Sequence, residues 1–160
     1  MIANYEELPD STRVWIYQSS EPFDESQIAA IKQDISSFIA QWVSHNNALR
    51  AHGDLLHERF VILMVDESQA GASGCSIDKS VHFIKALEQK YGRNMFDRMN
   101  FSYLQQDHIH TVPRDRFVEL YEQGQINNRT LVFDNLVKNK LELETKWVKS
   151  LEDSWHARMV

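Results

Sequence analysis

The chain has 160 residues, 42% of them hydrophobic and 25% charged, with a formal net charge of −6. That length can bury a core as one domain or as two small packed units, and diffuse acidity argues against nucleic acid or an anionic membrane surface as partner. A single cysteine allows no intrachain disulfide, no apolar run approaches the ~18 residues of a membrane span, and the acidic, polar opening MIANYEELPDS does not read as a signal peptide, so the expectation is a cytoplasmic protein.

Residues 1–11 read as a polar, loosely held lead-in. RVWIYQ, Arg13 to Gln18, is β-branched and aromatic and predicts a strand. Asp24 then stands as an N-cap, with Gln27 three residues on as in a capping box, and Phe23 and Ile28 placed to staple the helix start. Ile28, Ile31, Ile35, Phe38, Ile39 and Trp42 follow at helical spacing and mark one buried face. His45, Asn46 and Asn47 end that helix. Ala48 to Leu56 predicts an irregular edge strand broken at Gly53. His45, His52 and His57 match no metal-ligand spacing, so no metal is expected and they read as surface histidines.

Phe60 to Val65 is apolar throughout and predicts a central strand buried on both faces. Ile77, Val81, Ile84, Leu87 and Tyr91 mark a second helix, with Gly92 as its stop. Phe101–Leu104 and His108–Val112 predict a hairpin across Gln105, Gln106 and Asp107. Pro113 opens a third helix with Phe117, Leu120 and Tyr121 inward, closed by Gly124. Thr130–Phe133 reads as a short strand and Leu136–Trp147 as a helix. In the ending KSLEDSWHARMV, Trp155 and Met159 call for burial. The order predicts an α+β fold: a ferredoxin-like βαββαβ unit over residues 12–94, with a hairpin–helix–strand unit over 95–160 packed on it. A three-layer mixed α/β sheet is the alternative architecture.

The chemistry concentrates at residues 66–82. VILMVDE, Val61 to Glu67, has the form of a Walker B strand, in which Asp66 would hold magnesium and Glu67 would position water. That chemistry also needs the phosphate loop G-x-x-x-x-G-K-[ST]. The chain has none: Asp78, not glycine, precedes Lys79 and Ser80, and Gly74 is one residue out of register. ATP hydrolysis is therefore not expected.

The segments HERFVILMVDESQAGASGCSIDKSVHF and LVFDNLVKNKLELETKW, with the ending DSWHARMV, resemble a family of small uncharacterised bacterial proteins that often carry the automatic label "ABC transporter ATPase". The resemblance implies no activity, and the label fails the phosphate-loop test. A second resemblance covers FSYLQQDHIHTVPRDRFVELYEQGQINNRTLVF. It is similar to the bacterial GYF-like domain pattern through Glu119, Leu120, Gly124, Ile126, Thr130, Leu131 and Val132, although the Gly-Pro-aromatic stretch of that domain is replaced by His110 to Pro113. If that likeness carries function, Phe101, Tyr103 and Trp147 would line a peptide-contact surface.

Three readings follow from these residues. In the first, Asp66, Glu67, Ser68, Gly71, Ser73, Gly74, Ser76 and Asp78 form a ligand site. Small residues bring backbone N–H groups close, Ser76 or Asp78 caps the helix, and the helix start attracts an anionic small molecule or a partner's acidic group. In the second, Cys75 is a nucleophile activated by the helix start, with His82, one turn beyond Asp78, as its base. In the third, the 95–160 unit binds a protein partner. None needs a cofactor.

Overall fold

The structure is a computed structural model describing residues 1–160. Nine strands and four α-helices form three antiparallel sheets, an α+β fold. Strand β1 (Arg13–Gln18) leads into helix α1 (Glu25–Gln41). At its start the Gln27 side chain accepts the Asp24 N–H at 3.2 Å, the capping box read from the sequence. Ile31, Ile35 and Ile39 turn its apolar stripe into the core. His45 and Asn46, both at positive φ, then make the tight turn between β2 (Val43–Ser44) and β3 (Asn47–Ala48). Strands β4 (Arg50–Leu56) and β5 (Phe60–Asp66) form a hairpin, and helix α2 (Gly74–Tyr91) follows. Gly92, at φ 66°, ends α2 in the left-handed conformation that glycine adopts without a Cβ clash.

The remaining elements are β6 (Asn100–Gln105), β7 (His108–Pro113), α3 (Arg114–Glu122), β8 (Leu131–Phe133), α4 (Lys140–Lys146) and β9 (Val148–Ser150), followed by 3-10 turns at Leu151–Asp153 and Trp155–Met159. No helix is long and apolar enough to cross a membrane.

The first sheet has the order β1-β5-β4. All seven residues of β5 are buried, as its unbroken apolar run demands. Helices α1 and α2 cover one face, where Val61, Leu63 and Val65 meet Ile35, Ile39, Ile84 and Leu87. On the other face Phe60, Ile62 and Met64 meet Phe133, Val137, Leu143 and Trp147. A third core on the four-stranded sheet β7-β6-β8-β9 gathers Phe101, Phe117, Leu120, Val132 and Leu151.

The strand expected to complete a ferredoxin-like sheet does not do so. β6 pairs instead with β7 and β8 in a separate sheet of order β7-β6-β8-β9. The outer edge of β1 is already taken: the Val14 N–H donates to Lys138 O at 3.0 Å, and the Lys140 N–H to Thr12 O at 2.8 Å. The last helix is correspondingly shorter than the Leu136–Trp147 expected, because residues 138–140 are used as this edge.

Two further expectations change. Residues 1–11 are tied down: the Ala3 N–H donates to Ala51 O at 2.7 Å, the Ala51 N–H to Met1 O at 3.0 Å, and Leu8 is buried. β4 is not broken at Gly53. A Cβ there would lie 2.7 Å from Ile35 Cγ2 and 3.0 Å from Ile39 Cγ1, so the glycine lets α1 settle onto the strand.

Candidate functional site

The 66–82 segment leaves the core at Asp66 and re-enters it at α2. Asp66 is buried, and its carboxylate accepts from Arg50 Nη1 at 2.6 Å and from the Ser68 N–H at 3.0 Å. Burial alone would raise its pKa, but the bonds from Ser68 and Arg50 outweigh that and hold it below the usual carboxylate range. The Asp66 carboxylate is thus spent on closing the end of the strand. Arg50 was not singled out in the sequence. Its signal is the hairpin register that sets it opposite Asp66, and register emerges only once β4 is known to run unbroken.

Glu67 folds back over the loop. One oxygen accepts the Ala72 N–H at 2.9 Å and the other lies 3.7 Å from Arg13 Nη1. A Cβ on Gly71 would come within 3.1 Å of the same carboxylate, which explains the small residue there. The loop therefore already holds an acidic group, its own.

Ser73 is the cap of α2, its Oγ accepting the Ser76 N–H at 3.2 Å. This corrects the expectation of a cap at Ser76 or Asp78: the helix begins at Gly74, so both lie within its first two turns. Ser76 is fully buried and its hydroxyl donates to Ser73 O at 2.8 Å, while the Trp42 indole donates to Ser76 O at 2.9 Å. The first part of α2 thus buries Ser76 and Ser80, with Ile77 and Val81 half-buried beside them.

Gly74 and Cys75 remain. Their N–H groups precede the first intrahelical bonds and find no acceptor in the protein, and the space a Gly74 Cβ would fill is open. Cys75 is exposed and free. His82 and Asp78 are also exposed, and no hydrogen bond or ion pair joins them. Cys75 and His82 share the helix but stand seven residues apart, about 10.5 Å along its axis. The structure therefore commits Asp66, Glu67, Ser68, Ser73 and Ser76 to short-range hydrogen bonds within the segment or to Arg50, and leaves Gly74 and Cys75 open beside them. It does not bring Cys75 and His82 together.

The aromatic side chains expected on a contact surface of the 95–160 unit lie in the interior. Phe101, Tyr103 and Trp147 are all buried, Phe101 against Phe117 and Trp147 against Phe60 and Phe133. No three or more His, Cys, Asp or Glu side chains cluster in a way that would hold a metal ion. No family model, curated protein or solved structure matches the chain, so neither resemblance noted above gains support from a relative.

Proposed function

We propose that this chain is a binding protein whose loop at 66–82 takes the acidic group of a small molecule or a partner at the start of α2. The observation that carries the reading is the pair of adjacent N–H groups on the exposed residues Gly74 and Cys75, left without protein acceptors at the positive end of an 18-residue helix. Glu67 on the Ala72 N–H supports it in one respect: the neighbouring turn already accommodates a carboxylate. It also limits affinity, because a ligand's acid docks beside a like charge. The thiol-enzyme reading has no base at Cys75 in this arrangement. ATP hydrolysis fits poorly as well, since Asp66 is committed to Arg50 and the chain has no phosphate loop.

The test is a titration of the isotopically labelled protein with inorganic phosphate. Saturable shifts of the Gly74 and Cys75 amide resonances are expected. Glu67→Gln, which removes the like charge, should tighten binding by about threefold. Amide shifts that scatter over the surface without saturating, or an unchanged affinity in Glu67→Gln, would remove this reading.

A further inference from the structure

On the face of β4 and β5 turned away from the two long helices, a cleft of about 530 Å³ opens against the Tyr5–Glu7 turn and α4. The volume lies in the range of small-molecule sites. Its floor is apolar: Leu56, Ile62, Met64, Leu143 and Trp147. The strand register accounts for this floor, because His52, Asp54 and Leu56 alternate on one face of β4, opposite Met64, Ile62 and Phe60.

The polar groups around the floor are almost all acceptors. Glu6, Asp54 and Glu144 contribute three carboxylates. The one phenol, Tyr5, spends its hydrogen on Glu144 Oε1 at 2.8 Å. Burial, reinforced by Glu144, keeps that hydroxyl well above the usual phenol range, so it remains protonated. His52 Nδ1 lies 3.1 Å from Ala3 O. A carbonyl only accepts, so Nδ1 carries the hydrogen and spends it on Ala3, not on the cleft. Asn4 alone offers a donor, and it offers an acceptor with it.

The nearby cations do not balance this. The Lys140 ammonium donates to Tyr5 O at 3.0 Å and Leu8 O at 2.7 Å, with Glu144 at 3.9 Å. Lys32 stands 3.8 Å from Asp54 across an exposed edge, where a pair is weak. The Glu6 carboxylate has no hydrogen-bond or ion-pair partner.

We propose that this cleft binds a small organic cation, an ammonium or guanidinium group carried on an apolar body of aromatic-ring size. The body lies on the floor of Leu56, Ile62, Met64 and Trp147, and the cation meets Glu6 and Asp54. An anion is disfavoured by the same carboxylates, and a wholly apolar ligand would strip them of water without replacing it. The site is independent of the one at α2: it lies on another face and selects the opposite charge.

The labelled 160-residue chain is titrated with tryptamine and, separately, with indole-3-propionate, which keeps the ring and exchanges the ammonium for a carboxylate. Tryptamine should produce saturable shifts at His52, Asp54, Met64 and Trp147, with the propionate at least about tenfold weaker. Glu6→Gln, an exposed change that leaves the fold intact, should weaken tryptamine by about threefold. Leu56→Trp, checked for an unchanged melting temperature, should fill the floor and abolish the shifts. Equal or tighter binding of the propionate overturns the proposal. So does the absence of saturable tryptamine shifts at these residues, or binding undiminished in both variants.

Discussion

His156 is the residue whose surroundings depart furthest from its composition. It is 1% exposed, lies face to face with Trp155 at 3.7 Å between ring centroids, and meets Phe101 edge-on at 5.2 Å. Its Nδ1 sits 2.6 Å from Ser154 Oγ. Burial pushes its pKa down to about 4, with Asp134 pulling the other way. In the unfolded chain an imidazole titrates near its ordinary ~6.5. Between those two values the unfolded chain binds a proton that the folded chain does not, so stability falls as the pH drops through that window. The whole loss is on the order of 3 kcal/mol. His156→Phe should cost stability at pH 7 yet make this part of the profile shallower, leaving the slope from His57, whose pKa burial also lowers, as read by urea unfolding at intervals from pH 7 to pH 4. A variant whose stability declines in parallel with the wild type would show that the ring is not the source. Asp134 does not confuse the reading. Burial would raise its pKa, but hydrogen bonds from Lys149, Trp155 and the Leu136 N–H outweigh that and hold it below the usual carboxylate range, so its own loss comes at lower pH. The sequence pointed to Trp155 and Met159 in this stretch, and both are half-buried against the third core. The histidine between them gave no signal, because a polar ring at 3-10 spacing looks like surface until its neighbours are placed.

Gly53 shows the same contrast at the level of elements. α1, α2 and β5 were legible because periodicity is a local property: Ile31, Ile35 and Ile39 announce a helix face, and an unbroken run from Phe60 announces a central strand. Pairing was not legible. A glycine in a strand pattern reads as an interruption, whereas here it marks the close passage of α1, with Ile35 Cγ2 only 2.7 Å from where a Cβ would stand. The diversion of β6 into the four-stranded sheet was hidden for the same reason, since residues 138–140 lie far along the chain from the β1 edge they occupy. The loop at 66–82 was found by its small residues, but its closure by Glu67 and the pairing of Asp66 with Arg50 depend on register. Gly53→Ala should destabilise the protein by roughly 1–3 kcal/mol through overpacking. In an Ile35→Ala background the same change should cost far less, and a thermal-melt double-mutant cycle measures that coupling. Strictly additive losses would mean that α1 does not rest on the glycine.

β5 ties the molecule together, because its two faces belong to two cores. Phe60, Ile62 and Met64 share their core with Ala3 and Leu8 of the lead-in and with Phe133, Val137, Leu143 and Trp147 from the far side of the boundary read near residue 94. Gln18 adds a polar link, accepting from Ser102 Oγ at 2.6 Å and from Asn135 Nδ2 at 3.0 Å. The two units should therefore unfold together. Trp15 and Trp42 lie in one and Trp147 and Trp155 in the other, so tryptophan fluorescence and far-ultraviolet circular dichroism should report one coincident urea transition. A fragment of residues 12–94 should fail to fold cooperatively. Two separated transitions, or a stable fragment, would show that the units stand alone.

The outer edge of β1 is closed by the backbone of Lys138 and Lys140. During synthesis on the ribosome that edge stays open, and the second apolar face of β5 has only Ala3 and Leu8 of the lead-in against it, until roughly 70 further residues have been made. At ~5–20 residues per second the nascent chain spends roughly 4–15 seconds with an open strand and an incompletely covered Phe60–Met64 surface, which is the interval in which a chaperone competes with aggregation for it.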